Sequence, residues 1–312
     1  MVNLTDIIAS NERIPSALPP GLVAVFVGGT SGVGEYTLKA FARYARAPKA
    51  IVVGRSQEAA DRILNECRRL NPDGHFEFIR ADVSLLKNVD DVCRQIKEKV
   101  SVINVLFESQ GSMAFHSESR LATPRRQRRG SDIRRRHRPE QYPRQRIPTD
   151  EVRDQVASIG TLMLEEAQRR ASDVAFIHTV PGVVESGIMR DVQPTLGISI
   201  IIGLSRLLRP FISVPPTECG ERHVFAATSA AFPPGQGTSY AGVPLGGISL
   251  KTSRGTNGRT GSGVYSLSQK DEPASSNVEE LLRRFREDGT AKIIWDSVAA
   301  DFKRITGPEV AA

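Results

Sequence analysis

Apolar positions in the first third of the chain alternate between two spacings. After Pro19-Pro20 the run VAVFVGG at 23–29 is continuous and β-branched, as in a strand buried on both faces. The stretch EYTLKAFARYAR follows, with Leu38, Phe41, Ala42 and Ala45 at helical spacing. The same reading predicts a strand at 50–54, a helix at 58–70, a strand at 75–83, a helix at 89–100 and a strand at 102–108. Strand–helix alternation with short joins predicts βαβ units, a mostly parallel sheet and a doubly wound α/β architecture.

The pattern then stops. Between Ser117 and Thr149 only Leu121, Ala122, Ile133, Tyr142 and Ile147 are apolar, five of 33 residues, and prolines at 124, 139, 143 and 148 exclude a long helix. Ordering costs ~1–2 kcal/mol per residue, more than so few apolar groups offset. Residues 117–149 are therefore expected to be an irregular, mobile, exposed excursion with no strand beside the fourth. Periodicity resumes with a helix at 151–170, a strand at 174–180, a helix around 219–230, a short strand at 263–267 and a charged helical region at 278–305. This divides the chain into a body at 21–267 and a C-terminal helical appendage at 268–312. The longest apolar run, at 196–212, is broken by Arg206 and Arg209 and is shorter than the ~20 residues a membrane span needs. It reads as a buried or site-covering helix, with a membrane-surface contact as the alternative.

Charge changes the picture less than it first suggests. Lys+Arg 42 against Asp+Glu 35 gives a net +7. Eleven Arg and two acids, Asp132 and Glu140, lie between Arg120 and Arg146, a local +9, so the rest of the chain sums to −2. Three readings of this block stand: a solvated insertion, a contact for anionic surfaces, or text at 112–150 read out of frame or across a mis-spliced intron. With Tyr142 as its one aromatic and no recognition motif, the block does not predict a nucleic-acid partner. Cys67, Cys93 and Cys219 are odd in number, far apart and without a C-x-x-C pair, which points to a reducing, cytoplasmic setting without disulfides or zinc. The N-terminus lacks the apolar core of ~7–15 residues of a signal peptide. His75, His116, His137, His178 and His223 show no metal-ligand spacing, and no G-x-S-x-G elbow occurs.

One turn carries chemistry. Gly28-Gly29-Thr30-Ser31-Gly32-Val33-Gly34 joins the first buried strand to an amphipathic helix. Glycines there let backbone N–H groups approach a pyrophosphate at the positive end of the helix, and Gly34 lets helix and strand pack closely. At these residues the sequence resembles the short-chain dehydrogenase/reductase family. Its T-G-x-x-x-G-x-G turn matches 27–34, with Val27 in place of Thr. Ala81-Asp82-Val83 matches the Asp-hydrophobic pair beside the adenine, Ser109-Gln110-Gly111 stands where the family has Asn-Ala-Gly, and Pro181-Gly182-Val183-Val184-Glu185-Ser186 fits P-G-x-V-x-T at the nicotinamide end. The resemblance covers about 23–111 and 151–267 and looks closest to fungal members of secondary-metabolite pathways. It implies a Rossmann-type domain with cofactor contacts from Gly28, Thr30, Ser31, Gly32, Val33, Gly34, Asp82, Gly111, Pro181, Gly182, Val184 and Ser186.

The second strand ends Gly54-Arg55-Ser56, with no acid before Glu58. A carboxylate at that point selects NAD through the ribose hydroxyls, whereas Arg55 would pair bidentately with a 2′-phosphate and Ser56 would add a donor. NADP(H) is the expected cofactor; Arg55 as a solvated loop residue is the alternative.

The resemblance further implies a Tyr acid, a Lys four residues on and a substrate-positioning Ser. Aligning Leu162-Met163-Leu164-Glu165 with the family's L-A-L-E puts the Tyr near Pro148 and the Lys near Val152, and there is no Lys between Lys99 and Lys251. Tyr142 and Arg146 form a Tyr-x-x-x-Arg, and Ser112, Ser117, Ser119 and Ser131 are the serines in reach, none after a recognisable fifth strand. Only 70 residues separate Gly111 from Pro181, fewer than the family spends there. No catalytic residue is assigned. Two functions follow: an NADP(H)-dependent oxidoreductase acting on a ketone or alcohol, plausibly in secondary metabolism, or an inactive nucleotide-binding relative of one. A small-molecule substrate is the expected partner; no nucleic acid, no membrane span and no metal is expected. Neither the substrate nor the oligomeric state is legible.

Overall fold

The computed structural model describes residues 2–111, 149–187, 213–236 and 242–307, with the side chains of the helix that begins at Thr149 described from residue 156. The expectations for 117–148, for the run at 196–212 and for Tyr142, Arg146, Ser112, Ser117, Ser119 and Ser131 lie outside the described residues.

Two short helices come first, α1 (Leu4–Asn11) and α2 (Ile14–Ala17). The predicted alternation follows as β1 (Val23–Val27), α3 (Gly32–Tyr44), β2 (Lys49–Gly54), α4 (Gln57–Leu70), β3 (His75–Arg80), α5 (Leu86–Lys99) and β4 (Val105–Glu108). Beyond Gly111 come α6 (Thr149–Arg170), β5 (Phe176–Thr179), α7 (Pro216–Thr228), β6 (Val264–Leu267), α8 (Ser276–Glu287) and α9 (Thr290–Thr306).

Strands β3-β2-β1-β4 form a four-stranded parallel sheet, with Val25 of β1 opposite Ile51 of β2 and Leu106 of β4. The central strands β1 and β2 are buried on both faces because they are apolar at consecutive positions, whereas β4 leaves Leu106 exposed. Ala24 and Phe26 face Leu38, Phe41 and Ile63 of α3 and α4, and the Phe26 and Phe41 rings stand 5.8 Å apart. Val25 packs instead with Ile51, Val53, Ile79 and the α5 residues Val92 and Ile96. Helices thus cover both faces, the doubly wound α/β arrangement. Among the described residues the sheet comes in two pieces. β5 pairs with β6, also in parallel, and no described strand joins β4 to β5.

Strand ends differ from the apolar runs for local reasons. β1 stops at Val27 because Gly28 turns to φ +85°. β3 stops at Arg80, where Ala81 donates its last ladder bond to Gly54 and Asp82 begins a turn with its Oδ1 accepting from the Ser84 N–H at 3.1 Å. β4 starts at Val105 rather than 102, since the Asn104 side chain takes the Val23 N–H at 2.8 Å and leaves Val102 exposed.

The N-terminal helices went unread in the sequence. Asn3 caps α1, and Ile7, fully buried, joins Phe225, Phe232, Tyr265 and Leu267 in a second core beside β6. Asn11 Nδ2 donates to Glu221 Oε2 at 2.7 Å and Tyr44 Oη to Glu221 Oε1 at 2.9 Å, so one buried carboxylate ties α1, α3 and α7 together. At the other end of the chain, Leu282 and Ala291 of α8 and α9 pack on Leu162 of α6, and Arg286 donates to Glu165 at 2.9 Å.

Candidate functional site

The glycine turn lies where β1 hands over to α3, at the carboxyl ends of the parallel strands, the edge where open α/β sheets place ligands. Gly28 has φ +85°, and a Cβ on it would stand 2.8 Å from the Gln110 amide nitrogen, so the turn presses on the end of β4. Gly32 has φ +59° and opens α3; a Cβ there would stand 2.5 Å from Ser186 Cβ. Gly34 brings the helix onto the turn, since its Cβ would meet Gly28 O at 2.7 Å. Ser31 is the N-cap residue with an extended backbone, and its hydroxyl makes no capping bond. The start of α3 therefore keeps donors for an anion. Thr30 instead packs on Gly54 at the end of β2, and Val33 takes the Thr37 hydroxyl at 2.7 Å. Glu35 would oppose an anion here. Burial pushes its carboxyl up, but hydrogen bonds from Arg62 at 2.9 Å and Lys39 at 2.7 Å outweigh that and hold it below its ordinary value, neutralised by its partners.

On one flank, β2 and β3 end side by side. Arg55 is exposed, and Ser56 caps α4 by accepting from the Ala59 N–H at 3.2 Å, which leaves its hydroxyl proton free to donate. Hydrogen bonds from Ser84 hold the Asp82 carboxyl below its ordinary value, with a smaller contribution from the Arg55 charge. A cleft of about 460 Å³ opens between these strand ends and α5, lined by Arg55, Arg80, Asp82, Asn88, Asp91 and Gln95 among others. The sequence reading found Arg55 and Asp82 but missed Arg80, Asn88, Asp91 and Gln95. Arg80 was the reachable one, because parallel pairing of β2 with β3 puts it opposite Gly54.

On the other flank, β5 leads into Pro181 and Gly182, the latter at φ +75°. Val184 bridges Val214 in parallel, with Val214 N donating to Val183 O at 2.8 Å. Tyr36 Oη on α3 donates to Glu185 O at 2.9 Å, holding this segment over the turn beside Ser186. The structure thus brings Gly28–Gly34, the end of β4 and residues 181–186 together, with Arg55, Ser56 and Asp82 on the opposite flank. Gly111 is exposed with nothing near its Cα face.

The histidines within reach are packing groups. His178 Nδ1 lies 3.0 Å from Thr161 Oγ1, and burial lowers its pKa. His223 Nδ1 donates to Cys219 O at 2.7 Å. No cluster of three or more His, Cys, Asp or Glu converges among the described residues, and no described helix is long and apolar enough to cross a membrane.

The model of the family described as short chain dehydrogenase matches residues 22–128, from β1 past β4. Beyond that local match, the oxidoreductase AN1596 of Emericella nidulans is 31% identical across 95% of this chain and 96% of its own. This chain belongs to the short-chain dehydrogenase family. A second relative, the oxidoreductase andH of Emericella variicolor, is 29% identical across 98% of both chains. A third, the short-chain dehydrogenase/reductase SAT2 of Stachybotrys chartarum, is 24% identical across 89% of this chain and 92% of its own.

Proposed function

We propose that this short-chain dehydrogenase binds NADP(H) along the carboxyl edge of its four-stranded sheet and is an oxidoreductase for a ketone or alcohol of secondary metabolism. The observation that carries the reading is the turn at 28–34, where Gly28 and Gly32 adopt positive φ and leave no room for a Cβ. That cradle fits a pyrophosphate, with the N–H groups at the start of α3 as its donors. Pro181, Gly182, Val184 and Ser186 would hold the nicotinamide end, and Gly111, three residues beyond β4, would approach it too. Asp82 would face the adenine, and Arg55 and Ser56 would take the 2′-phosphate, since no carboxylate ends β2 to favour ribose hydroxyls. When bound, the cofactor supplies or accepts the hydride; the residues named here bind and orient it. The three cysteines are free, which suits the cytoplasm.

A second reading rests on one specific observation. No Lys lies between Lys99 and Lys251, so no Tyr-x-x-x-Lys can open α6. On that reading the chain binds nucleotide without turning it over. Incubation with NADPH and a panel of ketones separates the two. Oxidation of the nicotinamide coupled to carbonyl reduction supports the oxidoreductase. Quenched NADPH fluorescence with no turnover supports the nucleotide-binding protein.

A further inference from the structure

The cleft between β2, β3 and α5 holds two guanidinium groups, and the sequence reading accounts for only one. Arg55 follows the last residue of β2, and Arg80 is the last residue of β3. Parallel register sets Arg80 opposite Gly54, the residue before Arg55, at the same edge of the sheet. Both are exposed, and both line the cleft of about 460 Å³.

Among the described residues some arginines of the neighbouring helices are paired and others, Arg69 among them, are not; what distinguishes Arg55 and Arg80 is that both line this cleft. Arg62 is bonded to Glu35 and Glu66, Arg68 to Asn65 and the Phe76 carbonyl, and Arg94 to Asp91. Neither Arg55 nor Arg80 makes a hydrogen bond or ion pair among the described residues. Of the acids of the cleft, Asp91 pairs with Arg94 at 2.9 Å, and Asp82, whose Oδ1 takes the Ser84 N–H at 3.1 Å, feels the Arg55 charge without bonding to it. Two cations without a hydrogen bond or ion pair among the described residues thus line one opening, an arrangement that suits a ligand carrying nearly two negative charges on one phosphate.

We propose that Arg80 is a second specificity-determining residue, sharing with Arg55 the 2′-phosphate of NADP(H). The proposal rests on the NADP(H) reading given above. Each guanidinium contributes charge-assisted hydrogen bonds to the same phosphomonoester, so removing one leaves part of the preference and removing both abolishes it. NADH, which lacks the phosphate, gains nothing from either.

The test is dissociation constants for NADPH and NADH with the full chain, by nicotinamide fluorescence, for the parent, Arg55→Gln, Arg80→Gln, Arg80→Lys and the double variant. Adenosine 2′,5′-bisphosphate and AMP serve as competitors, and thermal melting checks the fold. Arg80→Gln should weaken NADPH about tenfold or more, the size expected for loss of a charge-assisted pair, with NADH unchanged. Arg80→Lys should retain part of the preference, and the double variant should bind the two cofactors alike. An unchanged NADPH-to-NADH ratio in Arg80→Gln, in a parent that prefers NADPH and loses that preference in Arg55→Gln, overturns the role of Arg80 alone. A parent with no preference overturns the NADP(H) reading and this proposal with it.

Discussion

Gly32 and Ser186 meet across the mouth of the candidate cofactor site: a Cβ placed on Gly32 would stand 2.5 Å from Ser186 Cβ and 3.1 Å from its Cα. The phosphate turn after β1 and the segment after β5 are 154 residues apart in the chain, yet each limits what the other can be. Gly32 also has φ +59°, so any side chain there meets both backbone strain and a neighbour.

Gly32→Val is therefore expected to abolish binding of both NADPH and NADH. The backbone strain costs on the order of 1–3 kcal/mol, which should lower the melting temperature without unfolding the sheet. Fluorescence titration beside thermal melting checks this; a folded variant with normal affinity would mean that the pyrophosphate lies elsewhere.

Arg55→Asp replaces a phosphate-pairing cation with a repelling anion at the end of β2. Loss of a charge-assisted pair costs about 1.5–3 kcal/mol, roughly tenfold to a hundredfold in affinity. NADPH should weaken by at least that much and NADH hardly at all, as read from competition between the two.

Glu221 carries a structural prediction. It is buried and accepts from Asn11, Tyr44 and Arg43, and burial first, then this carboxylate, pushes the Tyr44 hydroxyl up to about 12. Glu221→Ala takes the carboxylate from Tyr44 and Arg43 and one of two acceptors from Asn11, whose Nδ2 keeps the Glu221 carbonyl at 2.9 Å, which should cost about 1–3 kcal/mol in denaturant unfolding. The N-terminal helix should loosen first, seen as earlier tryptic cleavage at Arg13. Unfolding at the parent's midpoint would show that the Glu221 carboxylate does not hold α1.

Acid stability should depend on Glu77. Its hydrogen bond from Lys99 at 2.6 Å, with further help from His75 and Lys49, holds the carboxyl near about 2 against an ordinary 4.5. A depressed carboxyl stabilises the fold fully above its unfolded value and loses that contribution as pH falls toward the folded one. Glu77→Gln should therefore destabilise the protein at neutral pH, by roughly 1 kcal/mol for a partly exposed network, and its deficit should shrink between about pH 4.5 and 2. A deficit that does not change with pH would contradict the ion-pair account.

The parallel sheet was legible because VAVFV and AIVVG carry β-branched runs between amphipathic helices, and burial on both faces leaves such runs few other uses. The turn at 28–34 was legible because its glycines are bunched where backbone must approach backbone. α1 was not legible. Its eight residues bury Ile7 against Phe225 and Tyr265, which come from distant parts of the chain, so no local pattern announces it. Arg80 was reachable only through the pairing of β2 with β3, which sets it opposite Gly54 and which neither strand shows alone. The expectation for residues 117–149 came from composition. Sequencing the transcript across codons 112–150 tests its frame-error reading, and a frame that reproduces the chain removes that reading.

The most direct test of the central claim is calorimetric titration of the unaltered chain with NADPH and with NADH under identical conditions. The account predicts saturable binding of NADPH at one site per chain, at least about tenfold tighter than NADH, the margin expected of a phosphate paired with guanidinium. Equal affinity for the two cofactors, or no binding of either, would contradict it.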